Sequence, residues 1–583
     1  MSPINLITTH GDAPNATYRQ ALTTTTPPKG WLWYRSPESI KTALRFGDKI
    51  KLIQNIRVAM TEENIDIRKG MILNVFETLL ASLQTGFTSN QVSRIIGNLS
   101  RFTSDMIVPI ESIHQNDYLL NETTGPTDAF KDLALQMLTE MVAIIVEEEN
   151  AISIANAKNG QRWQILKFVV TLTSTSGDTG PAGWSGIEWK DFIINVIWFP
   201  REEATYSQAG QMMRLQDNVR AIPMNQSFSA IQDAMKAGNT DKFKKAIHET
   251  IQSELWGEIE QYGFEIQVDS GSFNSINPGR IDGQTLYHSY GILKAHAKRI
   301  ISKDQPILEV VPSGNGGHVF GVLMARVMTG QSGKTVITCN QNDFFYKMVE
   351  EWVIAKPKSG SAVNSASISM IIEYPNNIWR LLAYILGTDR SKEIEEIFNT
   401  WGTVNLSKEE KKRLQDHIIV KRVTQKEELT TIGETFRDTG RLVCPHTANA
   451  LCGLKRYRGE YDDSDTPALI SETASPWKFL AATAAGLSFE DTDDIDSLYT
   501  QYRALEKTRE WCIELIGIIS QKYEKYGKSF SMDLIPGNLR KIYADGFEMG
   551  EAHDPQNFHA DTLVFLKEYA SNLADQVRTL IEK

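Results

Sequence analysis

A lysine placed just after a glycine-proline turn is the first residue of this chain that could do covalent chemistry. Lys131 lies in Thr124-Gly-Pro-Thr-Asp-Ala-Phe-Lys-Asp, and apolar residues at helical spacing run from there to about Val146. The positive end of a helix disfavours a protonated amine, so a first-turn lysine is easier to reach as the neutral nucleophile of a Schiff base. The alternative is an ordinary solvated lysine, because most lysines are exposed.

A polar loop follows an apolar run at residues 165–173 that is typical of a strand. The loop reads Thr173-Ser-Thr-Ser-Gly-Asp-Thr-Gly-Pro, and its proline suits the first turn of a helix. A strand, a polar glycine loop and a helix in this order can cradle an anion or a cofactor, since backbone N–H groups at a helix start are unpaired. The alternative is an ordinary strand-to-helix turn.

A second glycine-rich loop, Pro312-Ser-Gly-Asn-Gly-Gly-His, follows the predicted strand Ile307–Val311 and leads into a helix predicted from Val319. Its backbone N–H groups can form an anion-binding nest, and the helix start favours a phosphate. No Gly-Lys-Ser/Thr follows, so it is not a Walker loop, and it does not match GxGxxG in full. The alternative is a flexible glycine-rich turn.

The elements that must position these loops divide the 583 residues into three predicted regions. Residues 1–105 form a mainly helical N-terminal domain with a polar loop at 20–30, and residues 489–583 form a helical extension that caps the core or mediates oligomer contacts. Residues 106–488 form an α/β core of two subdomains, with ligands expected at the carboxyl ends of its strands. Further strands are predicted at Phe192–Phe199 and Thr335–Cys339.

Charge and composition exclude several classes of protein. The net charge of −11 and a pI of about 5.6 disfavour a nucleic-acid-binding protein, whose binding surface is basic. We expect no secretory signal, no membrane-spanning segment and no polybasic membrane anchor. The four cysteines lack CxxC spacing, which predicts a reducing, cytoplasmic setting and gives no zinc site, so we expect no bound metal.

In this order, the motifs resemble threonine synthase, a fold-type II pyridoxal-phosphate enzyme. That family has His-Gly-Pro-Thr-x-Ala-Phe-Lys-Asp, Thr-Ser-Gly-Asp-Thr-Gly, Pro-Ser-Gly-Asn-Phe-Gly-Asp and Pro-His-Thr-Ala. The counterparts here are Gly125–Asp132, Thr175–Gly180, Pro312–Gly317 and Pro445-His-Thr-Ala, and the similarity spans roughly residues 5–490. The resemblance implies an α/β fold with tryptophan-synthase-β-like open sheets flanked by helices, a helical N-terminal region and a helical C-terminal tail.

The resemblance also implies residue roles. Lys131 would hold the aldehyde of pyridoxal 5'-phosphate as an imine and, once free, act as general base. Thr447 would hydrogen-bond the pyridine nitrogen. The loop that grips the cofactor phosphate would contain Gly314, Asn315, Gly316, Gly317 and His318. The substrate-binding set would be Ser174, Thr175, Ser176, Gly177, Asp178 and Thr179, with Arg380 and Lys478 as candidate phosphate or carboxylate partners, or else as surface ion pairs.

Departures from the family pattern cluster around the substrate. Thr124 replaces the family histidine, Gly316 replaces a phenylalanine, and His318 replaces an aspartate. Glu203 falls near a family arginine, where it would repel a substrate phosphate, although Arg201 could substitute. The cofactor-handling positions are therefore better kept than the substrate-handling positions.

The resemblance implies a lyase of amino-acid biosynthesis that converts O-phosphohomoserine and water to threonine and phosphate by γ-elimination and β-addition. One alternative is a related β- or γ-replacement or elimination enzyme acting on another amino acid, in specialised metabolism. Another is a catalytically silent homologue, against which the intact Lys131 argues. We expect a cytoplasmic monomer or homodimer with a small-molecule substrate and no nucleic-acid or membrane partner.

Overall fold

A computed structural model describes residues 5–10, 16–24, 32–214, 218–236, 239–358, 360–549 and 558–582. The loop predicted at residues 20–30 lies partly outside this range. Its first residues belong instead to a short helix, Tyr18–Thr23, because the Thr17 and Gln20 side chains cap the helix start reciprocally.

The strands are numbered in chain order. They are β1 Asn5–Thr8, β2 Ala16–Thr17, β3 Trp33–Tyr34, β4 Ile110–His114, β5 Asp117–Asn121, β6 Gln164–Ser174, β7 Ile193–Pro200, β8 Val219–Met224, β9 Phe264–Gly271, β10 Ile307–Pro312, β11 Gly333–Cys339, β12 Val353–Ala355, β13 Thr403–Asn405, β14 Ile418–Arg422 and β15 Ala468–Glu472.

The helices are numbered in the same way. They are α1 Tyr18–Thr23, α2 Pro37–Lys41, α3 Phe46–Thr61, α4 Ile65–Ser82, α5 Ser89–Gly97, α6 Lys131–Lys158, α7 Thr179–Ile187, α8 Tyr206–Met212, α9 Phe228–Lys236, α10 Asn239–Glu254, α11 Trp256–Tyr262, α12 Pro278–Ala297, α13 Gly317–Thr329, α14 Phe344–Glu350, α15 Ile378–Leu386, α16 Thr388–Trp401, α17 Lys408–His417, α18 Gln425–Thr439, α19 Pro445–Tyr461, α20 Leu480–Leu487, α21 Ile495–Leu505, α22 Arg509–Lys525, α23 Gly537–Asp545 and α24 Phe558–Glu582.

Two large sheets carry the core. One has the strand order β14-β11-β10-β15-β5-β4 and is parallel except for the β4–β5 pair. The other has the order β8-β7-β6-β9 and is parallel throughout. Every residue of β7 and of β10 is buried, which is why these strands read as continuous apolar runs rather than alternating ones. The four predicted strands are confirmed, with ends shifted by one or two residues.

Helix α12 joins the parts of the core that carry the candidate chemistry. It packs against α6, whose first residue is Lys131, and against α13, which begins in the glycine-rich loop. Strands β6 and β10 end directly before the two polar loops, so both loops lie at carboxyl ends of parallel strands. The lysine and the two loops are therefore held by one packed helix layer and two sheets.

The two ends of the chain are mainly helical, as expected, and both pack on the core. Helices α3 and α4 contact α12, while α21 and α22 contact α20. A small antiparallel sheet with the order β2-β1-β3 was not predicted, because strands of two to four residues are too short to show alternation. The four cysteines are free and buried. Among the described helices, none combines the length and apolar character required to cross a bilayer.

Candidate active site

The loop before α6 is shaped to present Lys131 at the helix start. A side chain at Gly125 would place its Cβ 2.4 Å from the Cβ of Asp132, so glycine is required there. The Asp132 carboxylate accepts hydrogen bonds from the Thr127 backbone N–H at 2.8 Å and from the Thr127 hydroxyl at 2.7 Å. These bonds close the turn, and Lys131 becomes the first residue of α6.

One cavity collects Lys131 and most of the residues predicted around it. The predicted residues that line the cavity are Lys131, Ser174, Thr175, Ser176, Thr179, Gly314, Asn315, Gly316, Gly317 and His318. Gly177, Asp178, Arg380, Thr447 and Lys478 are not among the lining residues. The structure therefore brings the lysine and both polar loops together at the carboxyl ends of β6 and β10.

The environment of Lys131 makes its amine a better nucleophile. Burial lowers its pKa to about 8, and the charges of Arg280 and Lys478 act in the same direction, while Asp178 opposes them. The Lys131 Nζ lies 3.8 Å from Asp178 Oδ2. A pKa of about 8 leaves roughly a tenth of such amines neutral at pH 7, against fewer than about one in a thousand for an ordinary lysine.

Asp178 and Lys478 form a buried ion pair behind the cavity wall. Lys478 Nζ lies 2.7 Å from Asp178 Oδ1 and also donates to the Thr127 carbonyl at 2.8 Å. Burial alone would raise the pKa of Asp178, but Lys478 and Lys131 outweigh it and hold that pKa below its usual range. Lys478 therefore connects the loop before Lys131, which we call the lysine loop (residues 124–130), to the polar loop at residues 174–179. Its engagement in these internal contacts does not support its predicted contact with substrate.

The glycine-rich loop has the features of a phosphate cradle. A Cβ on Gly314 would lie 2.7 Å from the Ser369 carbonyl oxygen, and Gly316 has a φ of +75°, which favours glycine. Helix α13 starts at Gly317 without a side-chain cap, so its first N–H groups can receive a ligand. The buried Ser313 hydroxyl lacks a hydrogen-bond partner among the described residues. These donors fit the phosphate of pyridoxal 5'-phosphate.

Thr447 lies one layer behind the cavity. Its hydroxyl accepts a hydrogen bond from the Thr473 backbone N–H at 3.3 Å and lies 3.3 Å from Cys444 Sγ. Because Thr473 lines the cavity, the Thr447 side chain lies close behind the wall. Its contact with a pyridine nitrogen stays a prediction.

Arg380 is used internally and is not presented to the cavity. Its buried guanidinium donates to the carbonyls of Trp33 at 2.9 Å, Ser275 at 2.7 Å and Ile276 at 2.6 Å. Ser275 lines the cavity, so Arg380 positions that wall. The predicted contact of Arg380 with a substrate phosphate is not supported by this placement.

The cavity residues that sequence reasoning missed include two ionisable ones, Arg280 and His446. Arg280 donates to the Phe273 carbonyl at 2.8 Å, and its Nε has no hydrogen-bond partner within the described chain. His446 Nε2 accepts a hydrogen bond from the Ser369 N–H at 3.0 Å, and burial lowers the pKa of His446 to about 4. A sequence signal existed for His446, which lies inside the Pro-His-Thr-Ala segment.

The residues that depart from the family pattern have defined partners. The Thr124 hydroxyl donates to the Ile107 carbonyl at 2.5 Å. Glu203 accepts a hydrogen bond from the Phe228 N–H at 3.2 Å, and Phe228 lines the cavity. His318 stacks on the Phe130 ring at 4.5 Å between centroids. Glu203 therefore lies next to the cavity wall.

The C-terminal tail braces the lysine loop. Asn538, in α23, donates to the Pro126 carbonyl at 2.9 Å and to the Asp128 carboxylate at 2.7 Å. Asp128 has a φ of +58°, in the left-handed region that non-glycine residues rarely adopt. The Tyr543 hydroxyl donates to the Trp477 carbonyl at 2.5 Å, next to Lys478. The tail thus holds both lysine-bearing segments.

Comparisons with known proteins agree with this geometry. No protein-family model matches the chain. Threonine synthase of Corynebacterium glutamicum is 27% identical over 387 residues, which cover 65% of this chain and 71% of that protein. The crystal structure of yeast threonine synthase superposes with a TM-score of 0.66 at 22% identity, covering 89% of this chain and 99% of the other. A pyridoxal-phosphate-bound threonine synthase from Brucella melitensis gives 0.62 at 22% identity, covering 83% and 91%. The chain has the fold-type II architecture of these proteins.

Proposed function

We propose that this chain is a divergent member of the threonine synthase family, a pyridoxal-phosphate-dependent lyase that converts O-phosphohomoserine and water to threonine and phosphate. The observation that carries the proposal is Lys131, whose amine has a pKa of about 8 and faces one cavity together with both polar loops. Pyridoxal phosphate, when bound, supplies an electron sink for negative charge at the substrate carbon.

The chain's own residues divide the work. The loop at residues 313–317 holds the cofactor phosphate through backbone N–H groups and the Ser313 hydroxyl. Lys131 binds the cofactor and, when released, moves protons at the α and β carbons of the substrate as a general base. The loop at residues 174–179 binds the substrate carboxylate with its hydroxyl and N–H donors. Arg280 is the arginine among the described residues that line the cavity, and its guanidinium binds the phosphate of the substrate.

A second candidate is elimination or replacement on an amino acid without a phosphate. The engagement of Arg380 and Lys478 in internal contacts favours it, as does Glu203 behind the cavity wall. Under either candidate we propose a cytoplasmic enzyme, monomeric or homodimeric, that acts on small molecules. The four free, buried cysteines support a reducing compartment.

The test is a substrate panel with purified protein and added pyridoxal phosphate. O-Phosphohomoserine should release phosphate and form threonine in equal amounts. Ammonia released from another amino acid, with no phosphate from O-phosphohomoserine, would favour the second candidate. Cofactor binding without turnover on any substrate would contradict both.

A matched pair of variants links activity to the proposed lysine. Lys131→Met should lose the absorption band of the lysine-bound cofactor and all turnover. Lys294→Met is the control, because Lys294 is also buried with a pKa lowered to about 7, but its amine donates to the Val108 carbonyl away from the cavity. Loss of the band in both variants, or in neither, would contradict the assignment of Lys131.

A further inference from the structure

The last residue of the glycine-rich loop, His318, belongs to a buried cluster with Glu122 and His288, and no step of the proposed reaction uses these three side chains because residues 313–317 hold the cofactor phosphate. We propose that these three side chains bind one divalent transition-metal ion of the zinc type. Glu122 follows β5, His288 lies in the middle of α12, and His318 lies in the first turn of α13. All three are buried, and one ligand atom from each lies within 4.8 Å of the others.

The carboxylate is placed between the two imidazoles. Glu122 Oε1 lies 3.6 Å from His288 Nε2, and Glu122 Oε2 lies 3.5 Å from His318 Nε2. Two ligands that are each about 2.0–2.1 Å from a tetrahedral zinc ion lie about 3.3–3.4 Å apart. The two glutamate-histidine separations, one from each carboxylate oxygen, are therefore each within about 0.3 Å of the spacing expected for two ligands of one metal ion.

The imidazole pair needs a small adjustment. His288 Nε2 and His318 Nε2 are 2.7 Å apart, which is the distance of an imidazole-imidazole hydrogen bond. On a shared tetrahedral ion they would have to move about 0.6–0.7 Å further apart. His318 lines the cavity, so its ring has free space on one side and gives the ion a path to the site.

Unpartnered polar atoms are the independent sign that a cation belongs here. Both carboxylate oxygens of Glu122 are buried, and in the described part of the chain neither makes a well-formed hydrogen bond, although the Ser471 side chain interacts weakly with the carboxyl group. A buried carboxylate with so little hydrogen bonding is costly, and a coordinated cation removes that cost. Two imidazoles and one carboxylate form a donor set that zinc and similar ions prefer.

Neighbouring groups orient both histidines toward the proposed ion. Glu309, in β10, lies with its Oε1 3.3 Å from His288 Nδ1 without the alignment of a hydrogen bond, and a small rotation would let it accept the Nδ1 proton and leave the Nε2 lone pair free for the ion. A carboxylate behind a ligating histidine is the usual outer-shell partner of a metal site. The Phe130 ring stacks on His318 with an interplanar angle of 13°. The ion would therefore fix the start of α13 and Phe130, next to Lys131.

Metal binding can be measured apart from turnover. Purified protein loaded with cofactor should be stripped with a chelator and titrated with Zn²⁺ and with Co²⁺, whose visible absorption reports tetrahedral coordination. We expect one equivalent of metal per chain in the wild type. Glu309→Gln should weaken affinity by about 10–100-fold, as outer-shell changes do, and His288→Gln and Glu122→Gln should weaken it further.

The control is His296→Gln on the same helix, because His296 Nε2 pairs with Gln331 at 2.9 Å outside the cluster. It should bind metal like the wild type. Less than one equivalent in folded wild type, or equal affinity in wild type and Glu122→Gln, would overturn the proposal, even if the His288 variant failed to fold. The cofactor absorption band, followed in the same samples, reports the proposed function separately.

Discussion

Replacing Asp178 by asparagine tests the electrostatic account of the reactive lysine. Asp178 Oδ2 lies 3.8 Å from Lys131 Nζ and raises its pKa against the effect of burial. Two unit charges at that separation interact by about 4 kcal/mol at an effective dielectric constant of about 20, which corresponds to about 3 pKa units. That value is an upper bound, because the amide keeps a dipole and Lys478 already shares the carboxylate.

We therefore expect Asp178→Asn to lower the pKa of Lys131 by about one to two units from its value of about 8. The sign follows from the carboxylate, which favours the protonated amine, so its removal makes the neutral amine available at lower pH. The assay mixes apoprotein with pyridoxal phosphate and records the rate at which the lysine-bound cofactor band forms, from pH 6 to pH 10. The midpoint of the rising limb should move to lower pH.

The control is Asp117→Asn. Asp117 is the first residue of β5, and its carboxylate forms an ion pair with Arg458 instead of with a lysine of the site. Its rate profile should coincide with that of the wild type. A midpoint for Asp178→Asn that is unchanged, or that moves to higher pH, would refute the proposed coupling between Asp178 and Lys131.

Two further substitutions test the loops that surround the site, and a third, in helix α22, serves as a control. Asn538→Ala removes hydrogen bonds to Pro126 and Asp128, so the free energy of unfolding in urea should fall by about 1–3 kcal/mol, and an unchanged value would contradict the brace. Gly314→Ala would place a Cβ 2.7 Å from a backbone carbonyl, so cofactor affinity measured by titration should fall at least about tenfold. Gly517→Ala, in open space within α22, should keep that affinity and stabilise the fold by about 0.5–1 kcal/mol in thermal melts.

Much of the site could be predicted because local sequence and sheet geometry determine it. Gly125 and Asp132 fix the turn before Lys131 within eight residues of chain. The two polar loops follow β6 and β10, and the carboxyl ends of parallel strands share one edge in each sheet. Because β6 and β10 lie in different sheets, the meeting of the two loops was indicated by the resemblance of the ordered motifs to threonine synthase.

The contacts of the cationic residues could not be predicted in this way. Lys478 finds its partners at Thr127 and Asp178, each about 300 or more residues earlier in the chain. Sequence does not distinguish a cation that faces a cavity from one that lies behind its wall, since both carry the same charge and flank the same motif. The contact between His288 and His318 could not be predicted from the sequence either, because it depends on how α12 packs across α13.

The Asn538 brace also has a consequence for how the protein is made. Pro126 and Asn538 are separated by 412 positions, so at about 5–20 residues per second the ribosome adds the brace about 20–80 s after the lysine loop. During that interval the left-handed turn at Asp128 has no support from the tail. Nascent chains that stop before α23 would therefore contain all the cofactor motifs, but their lysine loop would lack the hydrogen bonds from Asn538. We therefore expect cofactor loading to follow synthesis.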